Sequence, residues 1–385
     1  MTNIFIATGG TGGHIIPARC LAKELAKNYR VFILADKKYQ PYIKAEDDFY
    51  AKIIPSAQLK KSFAGLLFGG FKIFFGTLKS LFLFLKYRPK YVFAFGGYAT
   101  FPILIAAILT RTKIILHEQN AHFGKVNRIF AKFCDKIALT FAKTDAILQK
   151  YQEKCTTTGN PVREEILELN KIDYKFPEKQ EAKKRDKMGY EGLILASEFN
   201  DLEDFEKNKK YFKILIIGGS GGAKIFSEIL PKAFFNLPED VKNYLYIFQQ
   251  CRSDLIQSTY EQYEKFNMNI EIDDFFEDMR EKISNANLII ARSGSSSLAE
   301  FAAAKKPMIL VPFAKSADNH QLKNAKIFEE NGLALVIEEK DFTINNIAKT
   351  LTNLLQNKEI LLKMSKNCEK IANLDATKNL ANLIR

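Results

Sequence analysis

Hydrophobic runs of strand length alternate along the chain with longer segments that have helical spacing. In the first part of the sequence the runs are NIFIAT, RVFILA, AKIIP, YVFAFGG, KIILHEQ, KIALTF and a short segment near Thr156. Such apolar runs, separated by helices, are typical of parallel strands that are buried on both faces. The pattern predicts an α/β fold with a doubly wound parallel sheet.

The same alternation returns near residue 212 and continues almost to the C-terminus. Its runs are FKILII, LYIFQQ, IEIDDFF, NLIIARSG, PMILVPF and ALVIEE. Between the halves, residues 164–211 carry charged stretches such as KKRDK, which are typical of a solvated linker or insertion. We therefore expect a first domain over 1–163 and a second over 212–385. The last helices, from residue 360 onward, are candidates to return to the first domain.

Each half opens with a glycine-rich turn between a strand and a helix: GGTGGH at 9–14 and GGSGG at 218–222. Free backbone N–H groups and a helix N-terminus favour binding of an anion, usually a phosphate. The first loop fits neither the dinucleotide fingerprint, which needs glycine where Ile15 stands, nor the P-loop. Two such loops in corresponding positions predict duplicated Rossmann-like domains that face each other across a ligand-binding cleft.

Composition narrows the class of protein. The chain has 385 residues, of which 47% are hydrophobic, and a net charge of +13, so it is long enough for two cores. Its start lacks the features of a signal peptide and its five cysteines form no CxxC pair, so we expect a cytoplasmic protein without a disulfide framework. No nucleic-acid partner is expected, because no recognised reading module accompanies the charge.

Six motifs occur in one order along the chain: GGTGGH, FGGYATFP, HEQN, GNPVR, GGSGGA and RSGSSSLAE. With them the chain resembles the MurG family of bacterial transferases over nearly its whole length. The resemblance implies a GT-B fold and transfer of N-acetylglucosamine from its UDP donor to undecaprenyl-pyrophosphoryl muramyl-pentapeptide, at the cytoplasmic face of the plasma membrane. One departure is Gly221, which stands where the family usually has glutamine. The alternative of the same fold is a UDP-N-acetylglucosamine 2-epimerase, which would need further cleft carboxylates.

The donor side is expected to bind the leaving diphosphate without a metal or other cofactor. The chain contains no D-x-D pair, so backbone amides, helix dipoles and hydroxyls would stabilise the diphosphate. Glu300 would accept the ribose hydroxyls, since a carboxylate only accepts. The serines before it could instead form an ordinary N-cap with Glu300. The resemblance implies the following further donor contacts: Arg163, Ser220, the backbone of Phe276, Ser295, Ser296, Ser297, Leu298, Ala299 and Gln321. The side chain of Phe276 could equally belong to the core.

Two residues are candidates for the general base that deprotonates the acceptor hydroxyl. His14 suits this step because its ordinary pKa is near 6.5 and a helix N-terminus favours neutral imidazole. Glu118 is the other candidate. A structural hydrogen bond for His14 and a capping role for Glu118 remain alternatives. The resemblance places Asn120 near donor sugar and acceptor, and we expect three residues of the first loop to meet phosphates: Thr11, Gly12 and Gly13.

A zinc site of the HExxH type is excluded at HEQNAH. The second histidine of that motif would stand at Ala121, whereas His122 lies one residue beyond.

A segment rich in phenylalanine and lysine, residues 62–90, is expected to contact an anionic membrane surface. At helical spacing its apolar residues share one stripe, bordered by lysines that can reach lipid headgroups. The stripe consists of Phe74, Phe75, Leu78, Leu81, Phe82 and Leu85, and its border of Lys72, Lys79 and Lys86. A core helix with a basic rim is the alternative. The uncharged stretch 91–110 is not expected to span a membrane, because two glycines and a proline interrupt it.

Overall fold

The computed structural model describes residues 1–58, 62–177, 211–219 and 222–384. The N-terminal half contains a seven-stranded sheet in the order β3-β2-β1-β4-β5-β6-β7, and each pair of neighbours is parallel. Its strands are β1 Asn3–Thr8, β2 Arg30–Ala35, β3 Tyr50–Ile53, β4 Tyr91–Ala94, β5 Lys113–Glu118, β6 Lys136–Leu139 and β7 Cys155–Thr157.

The C-terminal half repeats this topology in a six-stranded parallel sheet of order β10-β9-β8-β11-β12-β13. Its strands are β8 Phe212–Ile217, β9 Leu245–Gln250, β10 Asn269–Asp273, β11 Leu288–Ala291, β12 Met308–Leu310 and β13 Ala334–Val336. The prediction of an α/β fold with two doubly wound parallel sheets is confirmed.

The α-helices that the structure describes connect these strands. In the N-terminal half they are α1 Gly12–Ala26, α2 Phe63–Tyr87, α3 Phe101–Leu109, α4 Lys125–Phe130 and α5 Glu164–Leu167. In the C-terminal half they are α6 Lys224–Phe235, α7 Glu239–Lys242, α8 Ile256–Lys265, α9 Met279–Asn285, α10 Ser295–Ala303, α11 His320–Glu330, α12 Ile344–Gln356, α13 Lys358–Asn367 and α14 Ala376–Ala381.

Helix α1 begins earlier than its apolar pattern suggests. The hydrophobic spacing predicts a start near Ile15, but the helix includes Gly12 and Gly13 in its first turn. The sharp turn is made just before, by Gly9 and Gly10, whose φ angles are +142° and +86°. These angles favour glycine, which lacks a Cβ atom. The two later glycines are therefore part of the helix N-terminus.

The last helix, α14, packs against α1 of the first half. Leu380, Ala381 and Ile384 are buried in the same core as the inner residues of α1 and β1. Lys136 donates a hydrogen bond of 2.7 Å from Nζ to the carbonyl of Leu383. The chain thus crosses back to the N-terminal half at its end.

Helix α2 has two different apolar faces. On the inner face Ser80, Leu83 and Phe84 are buried, and Leu81 packs partly against the same core. The outer face exposes large apolar side chains by 46 to 72%. These are Phe68, Phe71, Phe74, Phe75, Leu78, Phe82 and Leu85. Five of the six residues of the stripe therefore face outward, and the core-helix alternative accounts only for the inner face.

By length and composition, Phe68–Tyr87 could cross a membrane. Its inner face, however, is fixed to the domain at Gly76. A Cβ atom added at Gly76 would lie 1.9 Å from the carbonyl oxygen of Pro55 and 3.2 Å from Cβ of Pro102. The helix therefore lies along the domain surface.

This close approach leads to a stability prediction. Gly76→Ala is expected to destabilise the protein by about 1–3 kcal/mol, because overpacking against a backbone carbonyl outweighs the gain in helix propensity. Gly70→Ala in the same helix is the control, because nothing lies within 4 Å of its added Cβ. It should stabilise by about 0.5–1 kcal/mol. Urea unfolding midpoints measure both, and equal effects at the two glycines would contradict the packing described here.

Candidate active site

The site lies between the two halves, at the carboxyl ends of both sheets. Residues of the first glycine loop and of helix α10 meet there directly. The Ser296 hydroxyl donates a hydrogen bond of 2.7 Å to the carbonyl of Gly13 and accepts one of 3.3 Å from Nδ2 of Asn160. The first turns of α1 and α10 therefore face each other across the cleft.

The first loop leaves polar backbone groups at the surface of this cleft. Thr11 is the N-cap residue of α1, and its side chain makes no capping hydrogen bond. Thr11 and Gly13 are exposed, and Gly12 is partly exposed. The first N–H groups of a helix have no partner within the helix. This loop can therefore donate hydrogen bonds to a phosphate or another anion.

The second loop is described only in part, since Ser220 lies outside the described residues. Gly219 and Gly222, on either side of the undescribed residues 220–221, have φ angles of +80° and +63°, which favour glycine. A Cβ atom on Gly222 would lie 2.5 Å from Cγ of Arg252. The loop therefore runs close against the segment that follows β9.

Helix α10 carries the predicted diphosphate residues. Gly294 is its N-cap, and no side chain caps the helix, so the N-cap alternative for the serines is not what the structure has. Ser295 and Ser296 are buried, and Ser297 and Ala299 are half-buried. Leu298 is fully buried in the core. Only its backbone is therefore placed to meet a ligand.

Glu300 lies in the second turn of α10 and pairs with Arg163 of the opposite half. The Arg163 guanidinium donates two hydrogen bonds, from Nε to Oε1 at 2.7 Å and from Nη2 to Oε2 at 3.0 Å. A carboxylate has about four acceptor positions. Each Glu300 oxygen therefore keeps capacity for a further donor, such as a hydroxyl, while Arg163 fixes its orientation.

Glu118, at the end of β5, accepts four hydrogen bonds. Oε1 accepts from N and Nδ2 of Asn120, at 3.0 and 3.2 Å. Oε2 accepts from N of Gly124 at 2.8 Å and from Nδ2 of Asn127 at 2.9 Å. Burial raises the pKa of Glu118, and these hydrogen bonds act in the opposite direction. The arrangement favours the capping interpretation of Glu118, since its acceptor positions are used to hold the 119–124 loop and the first turn of α4.

His14 lies in the first turn of α1 and is half-buried. Its Nδ1 atom is buried and has no hydrogen-bond partner among the described residues. Burial lowers the pKa of His14 below 6.5, against the effects of the Phe95 carbonyl and the Gln119 side chain, while His320 of the opposite half also lowers it. A neutral imidazole at pH 7 can accept a proton.

The structure also describes Gln321 and Phe276, two further predicted binding residues. Gln321, on α11, accepts from N of Phe313 at 2.9 Å through Oε1, and its carbonyl accepts from Ser293 at 2.8 Å. The side chain of Phe276 is buried in the core, with the Lys282 ammonium 5.5 Å from its ring centre. The core interpretation thus describes this side chain, and a contact to uracil would use its backbone.

Sequence reasoning missed three side chains that shape the cleft. Asp36 accepts from the hydroxyl of Tyr98 at 2.9 Å and from N of Gly10 at 3.3 Å. An acidic residue after the second strand of a Rossmann unit is a known signal and could have indicated Asp36. Asn160 stands in the quoted GNPVR motif. Asn324, which joins the two halves, stands in none of the six quoted motifs.

No group of three or more His, Cys, Asp and Glu side chains that could hold a metal ion occurs within the described ranges.

The two facing parallel sheets and the cleft between them define a protein of the GT-B type. Residues 4–139 match the glycosyltransferase family 28 N-terminal domain, and residues 213–380 match the glycosyltransferase family 28 C-terminal domain. The chain belongs to glycosyltransferase family 28.

Individual relatives make the comparison more specific. A protein of Zymomonas mobilis is 31% identical over 380 residues, which cover 98% of this chain and 91% of the relative. It is named UDP-N-acetylglucosamine--N-acetylmuramyl-(pentapeptide) pyrophosphoryl-undecaprenol N-acetylglucosamine transferase. The crystal structure of Acinetobacter baumannii MurG superimposes with a TM-score of 0.72 at 26% identity, covering 100% of this chain and 99% of that one. The resemblance stated from the motifs is confirmed.

An epimerase shares the fold. UDP-GlcNAc 2-epimerase from Neisseria meningitidis, in a structure bound to UDP-GlcNAc, has a TM-score of 0.63 at 14% identity, with 100% and 99% of the two chains covered. At 14% identity this similarity shows a shared fold and does not show a shared activity.

The hydrogen bonds of Glu118 generate a prediction about stability. Glu118→Gln replaces one acceptor oxygen by an NH₂ group, which would face donors, and an unsatisfied buried donor costs about 1–3 kcal/mol. We expect the free energy of unfolding to fall by about that amount. Glu46→Gln is the control, because the Glu46 side chain is 73% exposed. Urea titrations at pH 7 measure both variants, and equal midpoints would argue against the four-fold hydrogen bonding.

Proposed function

We propose that this chain transfers N-acetylglucosamine from UDP-N-acetylglucosamine to the muramyl sugar of undecaprenyl-pyrophosphoryl-N-acetylmuramyl-pentapeptide, a step of peptidoglycan synthesis. The observation that carries the proposal is the similarity, over 98% of the chain, to a relative named for this transfer. The geometry supports it, because the loop and helix matched to the family's motifs meet in one cleft. The transfer is proposed to invert the anomeric centre and to need no metal in the chemical step.

In the proposed step one proton is transferred, one bond forms and one bond breaks. His14 accepts the proton of the acceptor hydroxyl, whose oxygen forms a bond to the anomeric carbon of the donor sugar. The bond from that carbon to the diphosphate oxygen breaks on the opposite face, and UDP leaves. The N-terminus of α10 and the hydroxyls of Ser295 and Ser297 would stabilise the charge on the leaving diphosphate.

The binding roles follow the same arrangement. Glu300, oriented by Arg163, would accept the ribose hydroxyls, and the Phe276 backbone would meet the uracil. Gln321 and Asn120 would contact sugars, Thr11, Gly12 and Gly13 would meet phosphates, and Ser220 would belong to the donor loop.

The outer face of α2 supports a lipid-linked acceptor. Its exposed phenylalanines and leucines, together with the exposed Lys72, Lys79 and Lys86, suit the boundary of an anionic bilayer. We propose that this face rests on the cytoplasmic surface of the bacterial plasma membrane as a peripheral contact. An epimerase acting on a soluble sugar nucleotide would have no use for such a face.

Incubating the purified protein with UDP-N-acetylglucosamine and a lipid-linked muramyl-pentapeptide tests the function. The expected result is release of UDP and a disaccharide on the lipid, both dependent on the acceptor and unaffected by a chelator. Formation of UDP-N-acetylmannosamine without acceptor would identify an epimerase instead. Activity restored to the chelated enzyme only by one divalent ion would contradict the metal-independent step.

The proposed base leads to a pH prediction. Because burial lowers the pKa of His14, its imidazole is neutral at pH 7, and kcat/KM should fall only as the pH drops through a value below 6.5. His14→Gln should reduce kcat by roughly 10²- to 10⁴-fold and remove this acid limb. His122→Gln is the control and should keep it. The same acid limb in His14→Gln as in the wild type would exclude His14 as the base.

The membrane face leads to a second prediction. Phe82 is 62% exposed, and inserting a phenylalanine side chain into lipid is worth about 1.5–3 kcal/mol. Phe82→Glu should therefore weaken binding to anionic vesicles by roughly 10-fold or more. Ile172→Glu, at a residue 54% exposed outside α2, should bind as the wild type does. Vesicle sedimentation measures both, and high salt should weaken wild-type binding. Equal binding of the two variants would place the contact elsewhere.

A further inference from the structure

Asn324 is a fully buried side chain that joins the two halves of the protein. It lies on α11, about one turn after Gln321, and its Oδ1 accepts a hydrogen bond of 2.8 Å from N of Ala121. Its Nδ2 donates to Oδ1 of Asn120 and to the carbonyl of Ser293, each at 3.1 Å. One amide thus connects the loop after β5, the loop before α10 and the helix that carries Gln321.

The contact also fixes the orientation of the Asn120 amide. Asn324 donates to Oδ1 of Asn120, and Glu118 accepts from Nδ2 of the same side chain. If the Asn120 amide flipped, donor would face donor and acceptor would face acceptor at both contacts. The two contacts therefore fix which end of the Asn120 amide donates and which accepts.

The three hydrogen bonds of the Asn324 amide cannot be lost without cost, because the side chain is buried. Asn324 is 0% exposed, so water cannot replace a lost partner at no cost. The contact forms only when the 118–124 loop of one half lies against the Ser293 segment of the other. The orientation of Asn120 is therefore coupled to the position of the donor side.

We propose that Asn324 is a positioning residue for sugar transfer, which sets the Asn120 amide only when the donor-side loop is docked on the acceptor-side loop. This inference rests on the proposed function and adds a residue that stands in none of the six motifs quoted from the sequence. It predicts that Asn324 affects turnover through Asn120, and that it has little effect on UDP binding itself.

The variant Asn324→Asp isolates the donated hydrogen bond. Its carboxylate keeps an acceptor for Ala121 but places an oxygen against the oxygens of Asn120 and Ser293. We expect kcat at pH 8 to fall at least 30-fold, while the affinity for UDP, measured by calorimetry, changes less than threefold. Two facing acceptor oxygens and burial raise the pKa of such a carboxyl. A protonated carboxyl can donate again, so the activity ratio of variant to wild type should rise as the pH is lowered.

A double variant separates positioning from general damage. If Asn324 acts through Asn120, then Asn120→Ala combined with Asn324→Asp should be as slow as Asn120→Ala alone, within threefold. If the kcat losses of the two single variants multiply in the double variant, the proposal is wrong. An activity ratio of Asn324→Asp to wild type that does not change with pH, or an unchanged kcat in Asn324→Asp, would also overturn it. Asn324→Ala, which introduces no charge, repeats the same cycle should the aspartate variant fold poorly.

The control variant is Arg128→Ala. It removes a different contact between the halves, the 3.3 Å bond from Nη2 of Arg128 to Asp318, and should keep kcat within twofold. If kcat of Arg128→Ala fell as far as that of Asn324→Asp, the loss of any contact across the cleft would slow turnover. That result would overturn the specific role of Asn324.

Amide hydrogen exchange tests the contact without reference to activity. The N–H of Ala121 should be protected in the wild type and in Asn324→Asp, and should exchange at least tenfold faster in Asn324→Ala. If the wild type transferred no sugar, the proposed function would fail although this protection was observed. Fast exchange of Ala121 in an active wild type would instead overturn the inference alone.

Discussion

The hydrogen bond from Ser296 to the carbonyl of Gly13 brings the N-termini of α1 and α10 together across the cleft. Each N-terminus carries a partial positive charge, so two facing ends repel each other unless an anion lies between them. A diphosphate meets that requirement, and a neutral His14 avoids adding a further positive charge at the same place. The Arg163 cation is paired with the Glu300 carboxylate, so the pair adds no net positive charge to the cleft. An anionic ligand such as the proposed diphosphate would therefore complete the charge balance of the cleft.

The secondary structure was largely predictable, because each strand is an apolar run and strands of parallel sheets are buried on both faces. The exact start of α1 was not, since glycines weaken a helical pattern even where the backbone turns just before them. The partners of Glu118 were not predictable either. Two of them, Gly124 and Asn127, are brought to the carboxylate by the path of the loop and the start of α4, which no local pattern specifies. Asn324 contacts residues more than 200 positions away, and only the tertiary fold reveals it.

The apolar residues of helix α2 form two surfaces, one buried against the protein and one exposed. A period of 3.6 residues predicts an apolar stripe but does not tell which side of a wide apolar helix faces the protein. Gly76 decides this, because only a residue without Cβ permits the approach of Pro55. The phenylalanines on the opposite side are left exposed by the same geometry. The sequence pattern does not give this orientation, because both faces of the helix are apolar.

The two halves are joined by contacts of different strength. At the base of the cleft, Ala121, Phe141 and Val162 belong to one apolar core with Leu298 and Phe328 of the opposite half. Nearer the ligand site other contacts are partly exposed, such as the ion pair of Arg163, whose side chain is 28% exposed, with Glu300. Apolar burial is lost only by separating the surfaces, whereas individual polar bonds exchange with water or substrate at little net cost. An apolar contact of this kind can stay in place while the polar contacts rearrange, and two-domain proteins can move in this way without a change of fold.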